Sequence, residues 1–391
     1  MLNNYKKNLK SITLFLSALI ILNYLVMFIY YNKFISSVIV SVYLLLIISF
    51  FFLKIHESII FKLTLLILGI IAAGSPPVDW DAWAIWLFHA KRIYIEKNFF
   101  ITLNNYSNLH NSYPLIVPSF MVSFSNLIKG WNLILPKFSV YLLYMPPLIY
   151  INSIFNKKFN LVFLIITILT VDKFLFNGYI DGLIAIYFSF CIYLFYELFF
   201  EEKNDKIDYL ILFCFLTILS LLKNEGFVLT LIVLSLIPIK NFIDKKSILK
   251  LDKKNFLYLS ILPYLIWKLI SISKGVGTDV VDGAKFERIY DFKILIDSLL
   301  LIFKSLFLNF KFLLSLIVLI LSFYFFKNKR LLKITLYCSV IYVLILILIY
   351  TLTPHNLEWH LNTSSRRVMM TVYYIIIFTS AVSFYKNYKS N

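Results

Sequence analysis

The chain has 391 residues, of which 61% are hydrophobic and 15% charged, whereas about a quarter of the residues in a soluble domain are charged. Apolar runs of membrane-spanning length recur from end to end, and no polar stretch exceeds about 40 residues, which excludes a soluble domain of typical size. The net charge of +18 comes from lysines in short loops, as in cytoplasmic loops of membrane proteins, so it does not indicate nucleic-acid binding. The composition predicts an all-α polytopic membrane protein, with residues 1–391 forming one integral membrane domain.

The N-terminal segment indicates the orientation. Lys6, Lys7 and Lys10 precede an apolar run at about 11–31. This run is longer than the apolar core of about 7 to 15 residues in a cleaved signal peptide, and it leads directly into further spans. We therefore expect the N-terminus in the cytoplasm, and two more spans place the first long loop, 75–112, on the outer side.

Two aspartates stand out in this outer loop. Pro76 and Pro77 end the preceding helix because proline does not continue a helix. Asp79 and Asp81 follow, and either carboxylate could cap the next helix. The functional alternative is a general base that takes a proton from an acceptor hydroxyl, or a carboxylate pair that holds a divalent cation such as Mg²⁺ or Mn²⁺.

Aromatic residues and a histidine complete the loop. Trp80, Trp83 and Trp86 repeat at three-residue spacing, which predicts an amphipathic helix lying at the membrane interface. His110 precedes the helix start expected at Pro114 and faces the outer surface, either as a solvated loop residue or as a substrate-binding residue.

The remaining spans depend on two ambiguous segments. Residues 113–128, interrupted by Pro118, and residues 292–308 are predicted as partial, surface-embedded helices, because this keeps the basic run 240–254 and the C-terminal lysines in the cytoplasm. The outer loops then contain interfacial helices, and the chain crosses the cytoplasmic membrane about 12 times, or about 14 times if both segments cross. The predicted spans are 11–31, 34–53, 58–73, 135–155, 161–176, 182–199, 209–222, 227–239, 256–272, 311–326, 334–352 and 368–384.

Two short turns between spans carry charged residues. Asp181 follows Asn177-Gly178-Tyr179-Ile180 and is either a helix cap or a substrate contact. Lys223 and Glu225 lie in Lys-Asn-Glu-Gly at membrane depth, where a charged group costs roughly 2.5 to 3.5 kcal/mol and tends to mark function. They form either a mutually satisfied pair or a site in which Lys223 holds a phosphate.

The last outer loop, predicted at 353–367, is basic. Arg367 ends it, and arginine on an outer loop runs against the lysine bias, whereas a guanidinium suits phosphate binding. His355, Glu358 and His360 could instead bind zinc, although their spacing matches no established zinc pattern. With this topology the residues of chemical interest collect on the outer face: Asp79, Asp81, His110, Asp181, Lys223, Glu225, Asp279, Asp282, His355, Glu358, His360 and Arg367.

The ordered set of motifs resembles the GT-C glycosyltransferases, in the branch that includes protein O-mannosyltransferases and lipid A aminoarabinose transferases. The resemblance spans about residues 76–367. Members often carry two adjacent acids where this chain has Asp79 and Asp81 separated by Trp80, and Ser112 stands where related chains often have an acid. The matching segments are Asp81-Ala-Trp-Ala-Ile-Trp86, His110 with Tyr113-Pro-Leu115, Gly178-Tyr-Ile-Asp181, Lys223-Asn-Glu-Gly226, and His360-Leu-Asn-Thr-Ser364 with Arg367.

The resemblance implies an enzyme that takes a sugar from a polyprenyl-phosphate carrier and gives it, with inversion, to a lipid, glycan or protein acceptor at the outer face. It implies that Asp81 is the catalytic base and that Lys223 and Arg367 lie near the donor phosphate. Two alternatives stay open: a ligase or polymerase acting on lipid-linked oligosaccharides, and a lipid or sugar transporter (flippase), which would place polar residues near mid-membrane in paired halves.

Overall fold

The computed structural model describes residues 2–53, 55–104, 110–203, 205–244, 253–277, 283–326 and 329–390. Within these ranges the chain is helical and contains no β-strand, as predicted. The long α-helices are α1 (Leu2–Ile29), α2 (Lys33–Phe52), α3 (Ile55–Gly74), α8 (Lys157–Val171), α9 (Asp181–Phe199), α10 (Lys206–Leu222), α11 (Asn224–Ile243), α14 (Phe292–Phe307), α15 (Phe310–Phe325), α16 (Arg330–Leu352) and α17 (Leu357–Ser390).

Shorter elements connect these helices. The short α-helices are α4 (Phe88–Glu96), α5 (Ile116–Leu127), α6 (Ile134–Leu142), α7 (Met145–Ile154), α12 (Leu262–Ser273) and α13 (Glu287–Tyr290). A π-helical segment covers Asp81–Leu87, and 3₁₀-helices cover Phe99–Leu103, Asp172–Leu175 and Lys253–Ile261.

The part of the chain that the structure describes contains eight helices that are long and apolar enough to cross a membrane, or nine if the bent pair α14–α15 is counted as one span. This architecture is compatible with a polytopic membrane protein. The predicted count of about 12 spans is not confirmed, because four of the predicted spans form apolar helices of 15 to 17 residues: 58–74, α8, α10 and α15. A crossing helix needs about 20 residues.

Helix α9 is the centre of the bundle. All of its 19 residues are buried, and a helix that is apolar on every side is stable only when protein or lipid surrounds it. It packs against α10 and α17, while α1 packs against α7 and α10. Two acids, Asp181 in its first turn and Glu197 in its last, are buried with it.

The bundle has two chemically distinct ends. Asp181 and Glu197 are separated by 16 residues of α9, which is about 24 Å at 1.5 Å per residue. Asp81 lies at the Asp181 end. Lys10 of α1 and Lys386 of α17 lie at the Glu197 end, so both chain ends are at the end opposite Asp81. We call these the Asp81 end and the Lys10 end.

Two segments predicted as surface-embedded differ from each other. Helix α5 has 12 residues, too few to span a membrane, but it is buried rather than surface-lying, because its apolar side chains pack against α1, α2 and α6. Helix α14 leaves most of its apolar side chains exposed and meets α15 at a bend of 71°. Whether α14 lies in a membrane surface stays a prediction.

Gly226→Ala is expected to destabilise the bundle strongly. A Cβ atom at Gly226 would overlap the backbone carbonyl oxygen of Leu219, and backbone of a packed helix does not move aside easily. We expect a loss of at least about 3 kcal/mol, the upper range for overpacking, measured by denaturant unfolding in detergent. Gly74→Ala is the matched control, because no atom lies within 4 Å of the new Cβ. Equal stability of the two variants would contradict the packing.

Candidate active site at the Asp81 end

The segment after α3 is fastened to the turn that precedes α9. The hydroxyl of Ser75 donates to the carbonyl oxygen of Phe176 at 2.9 Å. Asp79 accepts hydrogen bonds from Asn177 Nδ2 at 2.6 Å and from Lys173 Nζ at 3.2 Å. The side chain of Asp79 therefore links the segment after α3 to the turn before α9 by hydrogen bonds.

Asp81 opens the π-helical segment and is only 8% exposed. No side-chain hydrogen bond caps the start of this helix, so the capping role weighed for the two aspartates is not seen. π-Helical turns are rare and are frequent at functional sites. The carboxylate of Asp81 instead accepts a hydrogen bond from Arg367 Nη1 at 2.6 Å, across 286 residues of sequence.

Gly178 allows the turn before α9 to approach the Asp81 helix. Its φ of +87° lies in the region that favours glycine. A Cβ there would lie 3.2 Å from the Cβ of Ala82 and 3.3 Å from Cγ of Lys137, so a side chain would push the two segments apart. The next residue, Tyr179, places its ring 4.9 Å below the Arg367 guanidinium, which is within the range of a cation–π contact.

Asp181 connects the two cations of the site. Its Oδ2 lies 3.8 Å from Arg367 Nη1, and its Oδ1 lies 3.5 Å from Lys223 Nζ. Lys223 occupies the single extended residue between α10 and α11, with φ −164° and ψ 164°, and it is buried. Its ammonium also lies 3.6 Å from Glu225 and 5.7 Å from the ring centre of Tyr113.

These contacts define one connected group, the Asp81 cluster: Asp81, Asp181, Lys223, Glu225 and Arg367. Its members come from four separate parts of the chain, and all five were predicted site residues. The carboxylates outnumber the cations by three to two. Burial alone would lower the pKa of Lys223, but Asp181 and Glu225 outweigh burial and hold the pKa well above its ordinary value. Lys223 therefore stays charged at neutral pH.

Two polar atoms of the cluster lack hydrogen bonds. Asp181 Oδ2 and Arg367 Nε are buried and have no hydrogen-bond partner in the described part of the chain. A buried polar group left without a partner costs about 1 to 3 kcal/mol, more when it is charged. The cluster thus has unused hydrogen-bonding capacity at its centre.

The two predicted site histidines flank the cluster. His110 has a φ of +47° and stacks on Tyr113 with ring centroids 4.8 Å apart, so one ring separates it from Lys223. His360 lies two turns before Arg367 on the same face of α17, and its Nδ1 is 2.7 Å from Thr353 Oγ1. Both histidines lie beside the ion-pair network.

Several expectations need revision. The predicted outer loop 353–367 is irregular only up to residue 356, because α17 begins at Leu357 and carries His360 and Arg367 on a rigid helix. Trp80 and Trp83 are exposed, but Trp86 is buried and stacks on Tyr113 at 5.8 Å, so the three tryptophans do not share one exposed face. Asp279 and Asp282 lie outside the described residues.

The structure does not support the proposed zinc set. No group of three histidine, cysteine, aspartate or glutamate side chains is arranged to hold a metal ion within the described ranges. Glu358 is exposed, and His355 and His360 contact each other only edge to face, at 5.6 Å between ring centroids. The carboxylates of the Asp81 cluster are instead separated by its cations.

Sequence reasoning gave no role to Tyr113 and Tyr179, the two rings under the cations of the cluster. Both stand inside the motifs that carry the GT-C resemblance, next to residues that were singled out. Each tyrosine lies close to a polar or charged residue in a turn, and this pattern could have indicated a role. Because 18% of the chain is aromatic, the pattern did not distinguish these two tyrosines from the others.

Comparison of the chain with protein-family models, with curated proteins and with solved structures gave no match.

Proposed function

We propose that the chain is a membrane glycosyltransferase that moves a sugar from a polyprenyl-phosphate carrier to an acceptor hydroxyl at the Asp81 end of the bundle. The observation that carries the proposal is the Asp81 cluster: a buried carboxylate in contact with a half-buried guanidinium, joined through Asp181 to a buried ammonium. Buried charges are expensive in a membrane protein and tend to mark function.

The proposed base is Asp81. Arg367 engages Oδ2 of Asp81, which leaves Oδ1 to accept the proton of the acceptor hydroxyl. As that proton moves to Asp81, the acceptor oxygen bonds to the anomeric carbon, and the bond from that carbon to the phosphate oxygen breaks. The polyprenyl phosphate leaves with the bonding electrons, and the anomeric configuration inverts. General-base assistance of this kind contributes about 10²- to 10⁴-fold.

The proposed phosphate contacts are Arg367 and Lys223. Both cations are held in place by carboxylates before any substrate binds, and preorganised charge is what stabilises a departing phosphate. The buried Nε of Arg367, which has no hydrogen-bond partner in the described chain, is one donor that a phosphate oxygen would satisfy. His110, Glu225 and His360 flank this position and are proposed as substrate-binding residues. No step requires a metal ion.

In the proposed orientation, the Asp81 end lies at the outer face of the cytoplasmic membrane, and both termini lie in the cytoplasm. Helix α9 is about 28 Å long for its 19 residues, close to the hydrocarbon thickness of about 30 Å. With α9 across the membrane in this proposed orientation, Asp181 would lie near the outer membrane interface, at the level of a lipid phosphate. A flippase would instead hold its polar site near the midplane, so the position of the cluster favours the transferase.

The proposal is tested by deleting the protein from the cell and measuring, by mass spectrometry, the lipid-linked sugar donor and the surface acceptor. Loss of the enzyme should leave one polyprenyl-phosphate sugar accumulated and one sugar mass missing from a surface lipid, glycan or protein. Purified protein supplied with that donor and acceptor should release polyprenyl phosphate. A loss of whole oligosaccharide units would favour a ligase or polymerase, and movement of the donor across vesicles without a covalent product would favour the transporter.

A further inference from the structure

A polar cavity lies at the Lys10 end, about 24 Å along α9 from Asp181. Its volume is about 450 Å³, and parts of α1, α7, α9, α10 and α17 surround it. Five lysines line it together with two carboxylates: Lys6, Lys10, Lys203, Lys386, Lys389, Glu197 and Asp208. None of these residues belongs to the Asp81 cluster.

The two acids of this cavity are already neutralised. Asp208 accepts hydrogen bonds from Lys10 at 2.5 Å and from the hydroxyl of Tyr150 at 2.8 Å. Glu197 pairs with both Lys203 and Lys386. Both carboxylates are buried, where an ion pair screens the charge that burial would otherwise penalise. They are internal counter-ions of three of the lysines.

The other two lysines, Lys6 and Lys389, have no hydrogen bond or ion pair in the described part of the chain. Lys6 is half-buried, and the ammonium groups of Lys10, Lys203 and Lys389 repel its charge. Even when Asp205, the second partner of Lys10 at 2.7 Å, is counted, five cations face three acids. Among the described residues around this cavity, the lysines therefore exceed the acids by two positive charges.

We propose that this cavity binds a phosphate group, carried either by an anionic lipid or by a soluble phosphate compound, with Lys6 and Lys389 as its ligands. An ammonium group binds phosphate as a point charge, and a bound phosphate would remove the repulsion around Lys6. Anionic headgroups are attracted to lysines beside membrane spans, and the apolar Val382 and Tyr385 line the cavity next to the charges. The inference is independent of the proposed transferase activity.

The test uses the purified full-length chain in neutral detergent, with the double variant Lys6→Gln/Lys389→Gln. Binding of phosphatidic acid, phosphatidylcholine and inorganic pyrophosphate is measured by native mass spectrometry and by thermal shift. The matched control is Lys7→Gln/Lys158→Gln, which removes two exposed lysines that do not line the cavity. Wild type and control should prefer phosphatidic acid to phosphatidylcholine or bind pyrophosphate.

The cavity variant should bind the phosphate probe at least about tenfold more weakly than the wild type, the effect of losing one charged hydrogen bond. Binding of phosphatidic acid without pyrophosphate would assign the site to a lipid headgroup, and binding of pyrophosphate alone would assign it to a soluble phosphate compound. Lys6→Arg/Lys389→Arg should retain binding, which separates charge loss from misfolding. Equal binding by wild type and the Gln variant, or no preference for any phosphate probe over phosphatidylcholine, would overturn the proposal.

Discussion

Asp81→Asn is expected to lower sugar transfer by about 10²- to 10⁴-fold, the usual contribution of a general base. Asparagine keeps the size of the side chain and still accepts a hydrogen bond from Arg367, so the cluster should stay assembled. It cannot take the proton of the acceptor hydroxyl. The measurement is the release of polyprenyl phosphate from the donor by purified variants of equal thermal stability, and the loss should fall mainly on kcat.

The matched control is Asp172→Asn. Asp172 is an exposed acid that pairs with Arg366 and Lys311 at 3.5 and 3.7 Å, outside the Asp81 cluster. It should transfer sugar at the wild-type rate, whereas Asp81→Glu should retain part of the activity because it keeps a carboxylate. Wild-type turnover by a stably folded Asp81→Asn variant would remove Asp81 as the base.

The helical fold and most helix positions could be predicted from hydrophobicity alone, because every long apolar run must satisfy its own backbone hydrogen bonds in lipid. The count of spans could not. Helices α8, α10 and α15 are apolar but have only 15 to 17 residues, at or below the lower limit of about 17 residues for a crossing helix, so hydrophobicity does not decide whether they count as spans. Hydrophobicity also did not separate a helix buried in protein from one lying in a membrane surface, as the burial of α5 shows.

The convergence of the Asp81 cluster could be predicted because costly charges in an apolar chain have few ways to be satisfied. Asp81 is buried and Arg367 is half-buried, so each needs a partner, although the two lie far apart in sequence. Their pairing in detail was beyond the sequence. The residues alone left either aspartate of the first loop open as a helix cap, the resemblance pointed to Asp81 as the base, and only the fold showed that Asp79 contacts Asn177 and Lys173. The π-helical start at Asp81 also had no sequence signal, since the tryptophan spacing indicated an ordinary helix.

Arg367→Met is expected to destabilise the fold as well as abolish transfer. The guanidinium contacts Asp81 and Asp181, both buried, and removal of one partner from a buried ion pair costs about 3 to 5 kcal/mol. The adjacent Arg366→Met is the matched control, because Arg366 is exposed and forms its ion pair with the exposed Asp172, an interaction worth about 0 to 1 kcal/mol. Denaturant unfolding in detergent measures both, and equal stability of the two variants would contradict the buried pairing.

The double variant Asp81→Asn/Arg367→Met separates the two roles of Arg367. In Arg367→Met the carboxylates of Asp81 and Asp181 both lose the guanidinium. The double variant also removes the charge of Asp81, so it should be more stable than Arg367→Met alone. Its stability should not return fully, because Asp181 still lacks the guanidinium, and its activity should not return at all, because base and phosphate contact are both gone. Partly restored stability without restored sugar transfer is therefore the result expected if the cluster is catalytic. If restored stability brought restored transfer, the cluster would be a structural brace and the reaction would lie elsewhere in the chain.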